Sequence, residues 1–303
     1  MRAAAPGKLV LSGAYAVLHG APALVTAVDR YVIADSAQNP DFLAPEVQAA
    51  LRSYPGRQAP GFDADALRSQ GKKLGLGSSA AITAASVAVW ELLRDSSLGD
   101  EELAARVFPI ALAAHREAQG GGSGIDVAAA SRGGTLQATR RSSGELEVLP
   151  VELPPDLRIE VWWTGVAAST PRLLRSVASL EREQPRRFEA LMGAQIDASE
   201  RTARAFGASD AGEILRGLHA QSAALRALGE AAGAAIVSGE LTRAAATLDP
   251  DQEVWLPAGA GGGDVLLRYL RAASTAPPPS AIERSAQRLS LSLGARGVHR
   301  RED

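Results

Sequence analysis

Residues 72–81 read KKLGLGSSAA, two glycines and two hydroxyls set just ahead of the apolar run ITAASVAVWELL at 82–93. Small residues let backbone approach a ligand closely, and serines can cap a helix. A helix start also presents N–H groups with a partial positive charge. The stretch is therefore either a tight turn or a cradle for an anion. Gly75, Gly77 and Ala80 fit the dinucleotide fingerprint G-x-G-x-x-A, which requires a hydrophobic strand in front of it. RSQGKK (68–73) is not one, and the acidic residue at the required distance, Asp95, follows the helix directly with no second strand between. The P-loop pattern G-x-x-x-x-G-K-[ST] is absent as well. What remains is a loop of close approach, with Ser78 and Ser79 available to phosphate oxygens or a magnesium ion and Lys72 and Lys73 just upstream.

Two more glycine loops introduce apolar segments: GGGSGID (120–126) and AGAGGGD (258–264). Asp126 ends the first of them at a helix start. An aspartate there is most often an N-terminal cap; the functional alternative is a carboxylate held where it can orient or deprotonate a substrate hydroxyl. Only three of the 32 basic residues are lysine: Lys8, Lys72 and Lys73. All three flank glycine-containing segments, where a compact ammonium suits a point contact to phosphate.

At 303 residues the chain can bury a good core and is long enough for two domains. A net charge of −2 gives no reason to expect nucleic acid or a membrane surface as a partner. The absence of cysteine excludes disulfides, thiolate metal sites and cysteine nucleophiles, and suits a reducing cytoplasm. Pro6-Gly7-Lys8 interrupts the N-terminal apolar stretch and argues against a signal peptide. No run of about 18 apolar residues exists to span a bilayer.

Strands are expected over 1–12 and 25–36, within TLQATR, ELEVLPVEL and RIEVWWTG (134–168), and in the closing LSLSLGARGV (289–298). Helices are expected over 78–93, 100–119, from the 120–126 loop onward, 171–183, 185–206, 210–231, 239–248 and 280–289, with one short helix in the irregular 38–70 region. This order argues for an α+β protein, divided near Pro154-Pro155.

Taken together, APGKLVLSGAYAVLHGAPAL (5–24), LGLGSSAAITAA (74–85) and AGAGGGD (258–264) resemble the three motifs of the GHMP kinase superfamily, in order and across the whole chain. The resemblance implies an N-terminal domain (1–155) like the second domain of ribosomal protein S5 and a ferredoxin-like C-terminal domain (156–303). ATP and acceptor would share the cleft, in a monomer or homodimer. AHREAQGGGSGIDVAAASRGG (114–134) and WTGVAAST (163–170) look most like phosphomevalonate kinases. Mevalonate kinases usually carry a magnesium-binding glutamate at the position of His115 and a histidine at that of Gln119; this chain departs from both. It also has Gly13-Ala14 where many first motifs have Gly-Glu.

Carried over by motif, Lys8 and Asp126 are the catalytic pair, and Lys73, Gly75, Leu76, Gly77, Ser78, Ser79 and Ala80 hold ATP. Ser78 or Ser79 reaches Mg2+. Ser123, Gly124, Ser169, Thr170, Gly259, Ala260, Gly261 and Gly262 are the candidates for acceptor contacts, with turn capping or a strand-end hydroxyl as the alternative for Ser123, Ser169 and Thr170. The implied reaction is ATP-dependent phosphorylation of 5-phosphomevalonate. The alternatives are phosphorylation of mevalonate or another mevalonate phosphate, and a non-catalytic nucleotide-binding protein, against which the presence of both Lys8 and Asp126 argues.

Overall fold

A computed structural model describes residues 1–245 and 248–302. Its first sheet begins with β1 (Arg2–Ser12) antiparallel to β2 (Pro22–Asp35), the pair joined through a single turn of 3-10 helix at Ala16–His19. The chain then makes a short helix α1 (Pro45–Leu51), a three-residue strand β3 (Gly61–Asp63) on β2, and a two-residue ribbon of β4 (Arg68–Ser69) with β5 (Lys72–Lys73). That ribbon is exposed at both lysines, so no buried strand leads into the GLGSSA loop. Helices α2 (Ser78–Arg94), α3 (Asp100–Gln119) and α4 (Ile125–Arg132) follow, and β6 (Thr135–Arg140) and β7 (Leu146–Val151) extend the layer in the order β1-β2-β6-β7, with the C-terminal pair His299–Arg300 (β12) on the outer side of β1. Alanine and valine dominate the buried faces of α2 and α4, which is how helices come close enough to the sheet to share one core with it.

The second sheet contains β8 (Leu157–Trp163), β9 (Glu253–Pro257), β10 (Val265–Arg271) and β11 (Gln287–Leu289). Between β8 and β9 run α5 (Thr170–Glu183), α6 (Pro185–Gly207), α7 (Ala211–Ala231) and α8 (Gly239–Ala245); α9 (Ser280–Ser285) separates β10 from β11. The order β11-β8-β10-β9, all antiparallel, is the ferredoxin-like βαββαβ arrangement with an enlarged first crossover. The helix expected over 239–248 is described to Ala245, and residues 246–247 lie outside the described residues.

Two expectations near the C-terminus are corrected. The helix expected over 280–289 stops at Ser285, because Gln287–Leu289 turn extended and pair with β8. The closing strand expected over 289–298 is mostly irregular. It crosses back to the first sheet through isolated bridges, Val28 to Leu293 and Gly133 to Arg296, before β12 (His299–Arg300) pairs with β1. Its alternating hydrophobicity reflects contact with two different surfaces rather than one sheet face.

Polar anchors buried between the halves aim the first-motif loop. Tyr269 donates its hydroxyl to the Leu11 carbonyl at 2.6 Å, and Gln221 of α7 accepts from the Gly13 N–H at 2.9 Å while donating to the Ser12 hydroxyl at 2.7 Å. Gln195 of α6 donates to the Ala14 carbonyl at 3.0 Å. Each satisfies a backbone or hydroxyl group that would otherwise be stranded in the core.

Inside the second sheet, Arg268 is 1% exposed and forks onto Glu253 (2.8 and 2.7 Å), with Glu160 at 3.2 Å and the Ala276 and Pro277 carbonyls at 3.0 and 2.9 Å. Removing one partner of such a cluster leaves uncompensated buried charge. Arg268→Ala should therefore lower unfolding free energy by about 3–5 kcal/mol in urea titrations. A loss under about 1 kcal/mol would show that the cluster is not a structural centre.

Candidate active site

The site is built where β1 meets the start of α2. A register shift between Pro6 and Gly7 lets β1 turn there, and the Lys8 N–H donates to the Leu76 carbonyl at 2.8 Å. Gly77 is the N-cap of α2 with φ 77° and no capping side chain. A Cβ at position 77 would lie 2.8 Å from Lys8 Cε and 2.9 Å from Lys8 Cγ, so only glycine lets the loop rest on the lysine stem. The first-turn N–H groups of α2 stay open to a ligand. Leu76 and Ala80 bury their side chains completely and can offer a ligand only backbone. Ser78 is half-buried at the helix start. An uncapped, glycine-started helix beside a lysine fits polyphosphate.

The end of α3 meets the other side of this loop. His115 and Gln119, one turn apart, share a face. His115 Nε2 lies 3.2 Å from the Ser79 hydroxyl and 3.2 Å from Gln119 Nε2, and Gln119 also reaches Ser79 Oγ at 3.3 Å and Glu46 Oε1 at 3.1 Å. Gln119 Nε2 has two hydrogens for these three neighbours, and whether His115 Nε2 donates or accepts follows from its tautomer. Asp126 Oδ2 stands 3.6 Å from the same nitrogen, an ion pair only when His115 is protonated. Asp126 does not cap α4. Gly124 takes that position, and Asp126 sits in the first turn with Oδ1 accepting the Val127 N–H at 3.0 Å. Its carboxylate remains partly open, with a side-chain exposure of 26%.

The third glycine loop packs against the GLGSSA loop and the first motif. A Cβ on Gly75 (φ 78°) would fall 2.5 Å from Asp264 Cβ, so Asp264 packs directly on the GLGSSA loop. Asp264 Oδ1 accepts the Ala168 N–H at 3.2 Å. Burial pushes its carboxyl above the ordinary range, against the opposing pull of that N–H, Lys8 and Lys73. Tyr15 donates its hydroxyl to the Ala260 carbonyl at 2.7 Å, joining the first and third motifs, and burial raises the phenol's pKa. Gly262 donates its N–H to the Ile236 carbonyl at 3.0 Å, and Gly261 sits close against that same carbonyl. Gly259 faces Val10.

The structure thus brings together Lys8, Gly75–Ala80, Asp126 and the 259–264 loop. Lys73 reaches the group through its field on Asp264. Ser123 is half-buried, while Ser169 and Thr170 at the start of α5 are exposed. Among the described residues no hydrogen bond joins these three side chains to Lys8 or Asp126. Sequence reasoning left Asp264, Tyr15 and Glu46 without roles. Asp264 and Tyr15 lie inside the quoted motifs and could have been found there; Glu46, on a seven-residue helix in an irregular region, offered no signal. Among the described residues no cluster of three metal-ligating side chains exists. A magnesium ion held by Ser78 and Ser79 would have only hydroxyls as protein donors and would depend on nucleotide phosphates and water for the rest.

Because burial raises Asp264, its ionisation opposes folding. That cost is absent at low pH and grows as pH rises through the carboxylate range to its full size above the folded-state value. Asp264→Asn keeps the contact with Ala168 and removes the cost. In nucleotide-free protein its Tm should exceed the parent's by about 1–3 °C at pH 7, with the gap closing as pH falls toward 4. A lower Tm for the variant at pH 7 would contradict the assignment.

Residues 47–134 match the family described as the GHMP kinases N terminal domain. A phosphomevalonate kinase from Streptomyces sp. (strain CL190) is 25% identical, over 88% of this chain and 89% of its own length. A mevalonate kinase from Pyrococcus abyssi is 29% identical, over 64% of this chain and 67% of its own. The Streptococcus pneumoniae phosphomevalonate kinase in complex with phosphomevalonate and AMPPNP superposes with a TM-score of 0.73 at 18% identity, covering 97% of this chain and 99% of that one. The chain therefore has the fold of these kinases, and its residues 47–134 match the GHMP kinase N-terminal domain family.

Proposed function

We propose that the chain transfers the γ-phosphoryl group of ATP to (R)-5-phosphomevalonate, making 5-diphosphomevalonate on the mevalonate route to isoprenoids in the cytoplasm. The observation that carries the reading is the meeting at His115, where Ser79 of the phosphate loop and Asp126 of the acceptor turn approach one nitrogen. A nucleotide on the first and an acceptor on the second would be neighbours. The likeness to the Streptomyces phosphomevalonate kinase across nearly the whole length of both chains supports the acceptor.

In the proposed reaction an oxygen of the acceptor phosphate bonds to the γ-phosphorus as the bond to the β,γ-bridging oxygen breaks, and ADP leaves. Bound magnesium would neutralise charge on the phosphates. The open N–H groups of α2 receive the phosphates, and Lys8, its stem held by Gly77, places a positive charge where negative charge builds up. An acceptor phosphate is already ionised near neutral pH. Asp126 then has little proton to remove and acts chiefly by orienting the nucleophile. A second reading, mevalonate as acceptor, draws on the archaeal mevalonate kinases at 28–29% identity. It asks Asp126 to work as a general base on a hydroxyl.

Purified protein with Mg·ATP should release ADP with 5-phosphomevalonate, and much more slowly with mevalonate, 3-phosphomevalonate or homoserine. Turnover of mevalonate with none of 5-phosphomevalonate would overturn the first reading in favour of the second. With the preferred acceptor, Lys8→Met should lower kcat by about 10²–10³-fold and Asp126→Asn by about 10²–10⁴-fold, with ATP affinity retained. Near-normal turnover in either variant removes the role given to that residue.

A further inference from the structure

Next to the catalytic cluster stand two arginines that no role yet explains. Arg116 follows His115 on α3, and its backbone carbonyl accepts the Gly121 N–H at 2.8 Å, so it is tied to the 120–124 loop. Its Nε and Nη2 are buried without a hydrogen-bond partner, and among the described residues no carboxylate pairs with it. Burial lowers the Arg116 pKa, and the charge of another cation, Arg140 at the end of β6, lowers it further. Among the described residues Arg140 also has no side-chain hydrogen bond or ion pair. Two like charges acting on each other with no anion paired to either are costly, and a fold keeps such an arrangement where a ligand supplies the missing charge.

The surroundings place this pair on the side of the site where the acceptor turn lies. Arg140 is directly opposite Leu146 across the β6–β7 ladder, so the two side chains share one face of the sheet. Leu146 on that face, and Leu112 one turn before Arg116, both contact Gly124, the residue that starts the helix carrying Asp126. The same first turn of α4 starts at Gly124, which offers no capping side chain, and Asp126 takes up the Val127 N–H within it. Around Gly120, Gly121 and Gly122 the space is open.

We propose that Arg116 and Arg140 bind the carboxylate at the end of the acceptor remote from the group being phosphorylated. A planar guanidinium matches a carboxylate two bonds at a time, and a pair of them would fix the acceptor's length and direction against Lys8 and Asp126. The inference rests on the kinase reading and deepens it: the acceptor must be an anionic acid, whereas a neutral sugar would leave both guanidiniums unpaired.

Every acceptor in the panel above carries a carboxylate, so the test runs with whichever one the protein uses. Failure of 5-phosphomevalonate alone would sink the earlier reading and leave this one standing. The parent, Arg140→Gln, Arg116→Gln and Arg116→Lys are compared with that acceptor and with its carboxamide analogue. Arg140→Gln and Arg116→Gln should raise the acceptor KM by about 10–100-fold, leave the ATP KM within twofold, and lose most of the parent's preference for carboxylate over carboxamide. Arg116→Lys should recover part of that preference. Without ligand, the Tm of Arg140→Gln should equal or exceed the parent's, since no native partner is lost. The proposal is overturned by an unchanged acceptor KM, by variants that still reject the carboxamide as strongly as the parent does, or by use of a sugar in place of every acid.

Discussion

The contact between Lys8 and the start of α2 sets the geometry of everything around it. One hydrogen bond, from the Lys8 N–H to the Leu76 carbonyl at 2.8 Å, fixes the loop to the sheet, and Gly77 lies against the lysine stem where no side chain would fit. The ammonium thereby inherits the rigidity of a buried strand paired with β2 along its length, and less rotamer freedom is left to lose when a charged ligand arrives. Gly75, two residues earlier, is covered by Asp264. Here desolvation outweighs two lysines and a backbone N–H, since the carboxyl ends above its ordinary range. A half-buried carboxylate kept at such a cost belongs with functional machinery more readily than with a stability device.

The second half of the molecule does more than cover the first. Tyr269, Gln221 and Gln195 hold consecutive parts of 11–14 from elements well over a hundred residues away, and Tyr15 returns a bond to Ala260. The loop after β1 cannot shift without breaking several buried hydrogen bonds, each expensive to leave unmade. Ala14 occupies the place where many first motifs carry glutamate. Its contribution is a carbonyl received by a buried glutamine, so the loop's position here comes from its backbone.

Much of this was readable in the residues. The GLGSSA loop announced its own helix start, and the missing hydrophobic strand before it ruled out dinucleotide binding; the exposed two-residue ribbon at 68–73 agrees. The long alanine- and leucine-rich helices were equally plain. Illegible were features set by tertiary pairing. Gln287–Leu289 look like the end of a helix, yet a free edge on β8 draws them into a sheet. The run at 289–298 alternates like a strand but bridges two bodies. His115 and Gln119 were noticed only as departures from a pattern, because nothing local shows that Ser79, Asp126 and Glu46 converge on them from three other helices. Arg116 and Arg140 gave no sign at all, in a chain where nearly every basic residue is arginine.

The central claim is that a new bond forms on an acceptor phosphate rather than on a hydroxyl. Phosphorus NMR of a completed reaction with Mg·ATP and 5-phosphomevalonate reads this directly. The account predicts loss of the phosphomonoester signal and a new pair of mutually coupled diphosphate doublets, distinct from those of ADP. An intact 5-phosphate signal, with ADP formed and a second phosphomonoester appearing, would contradict it.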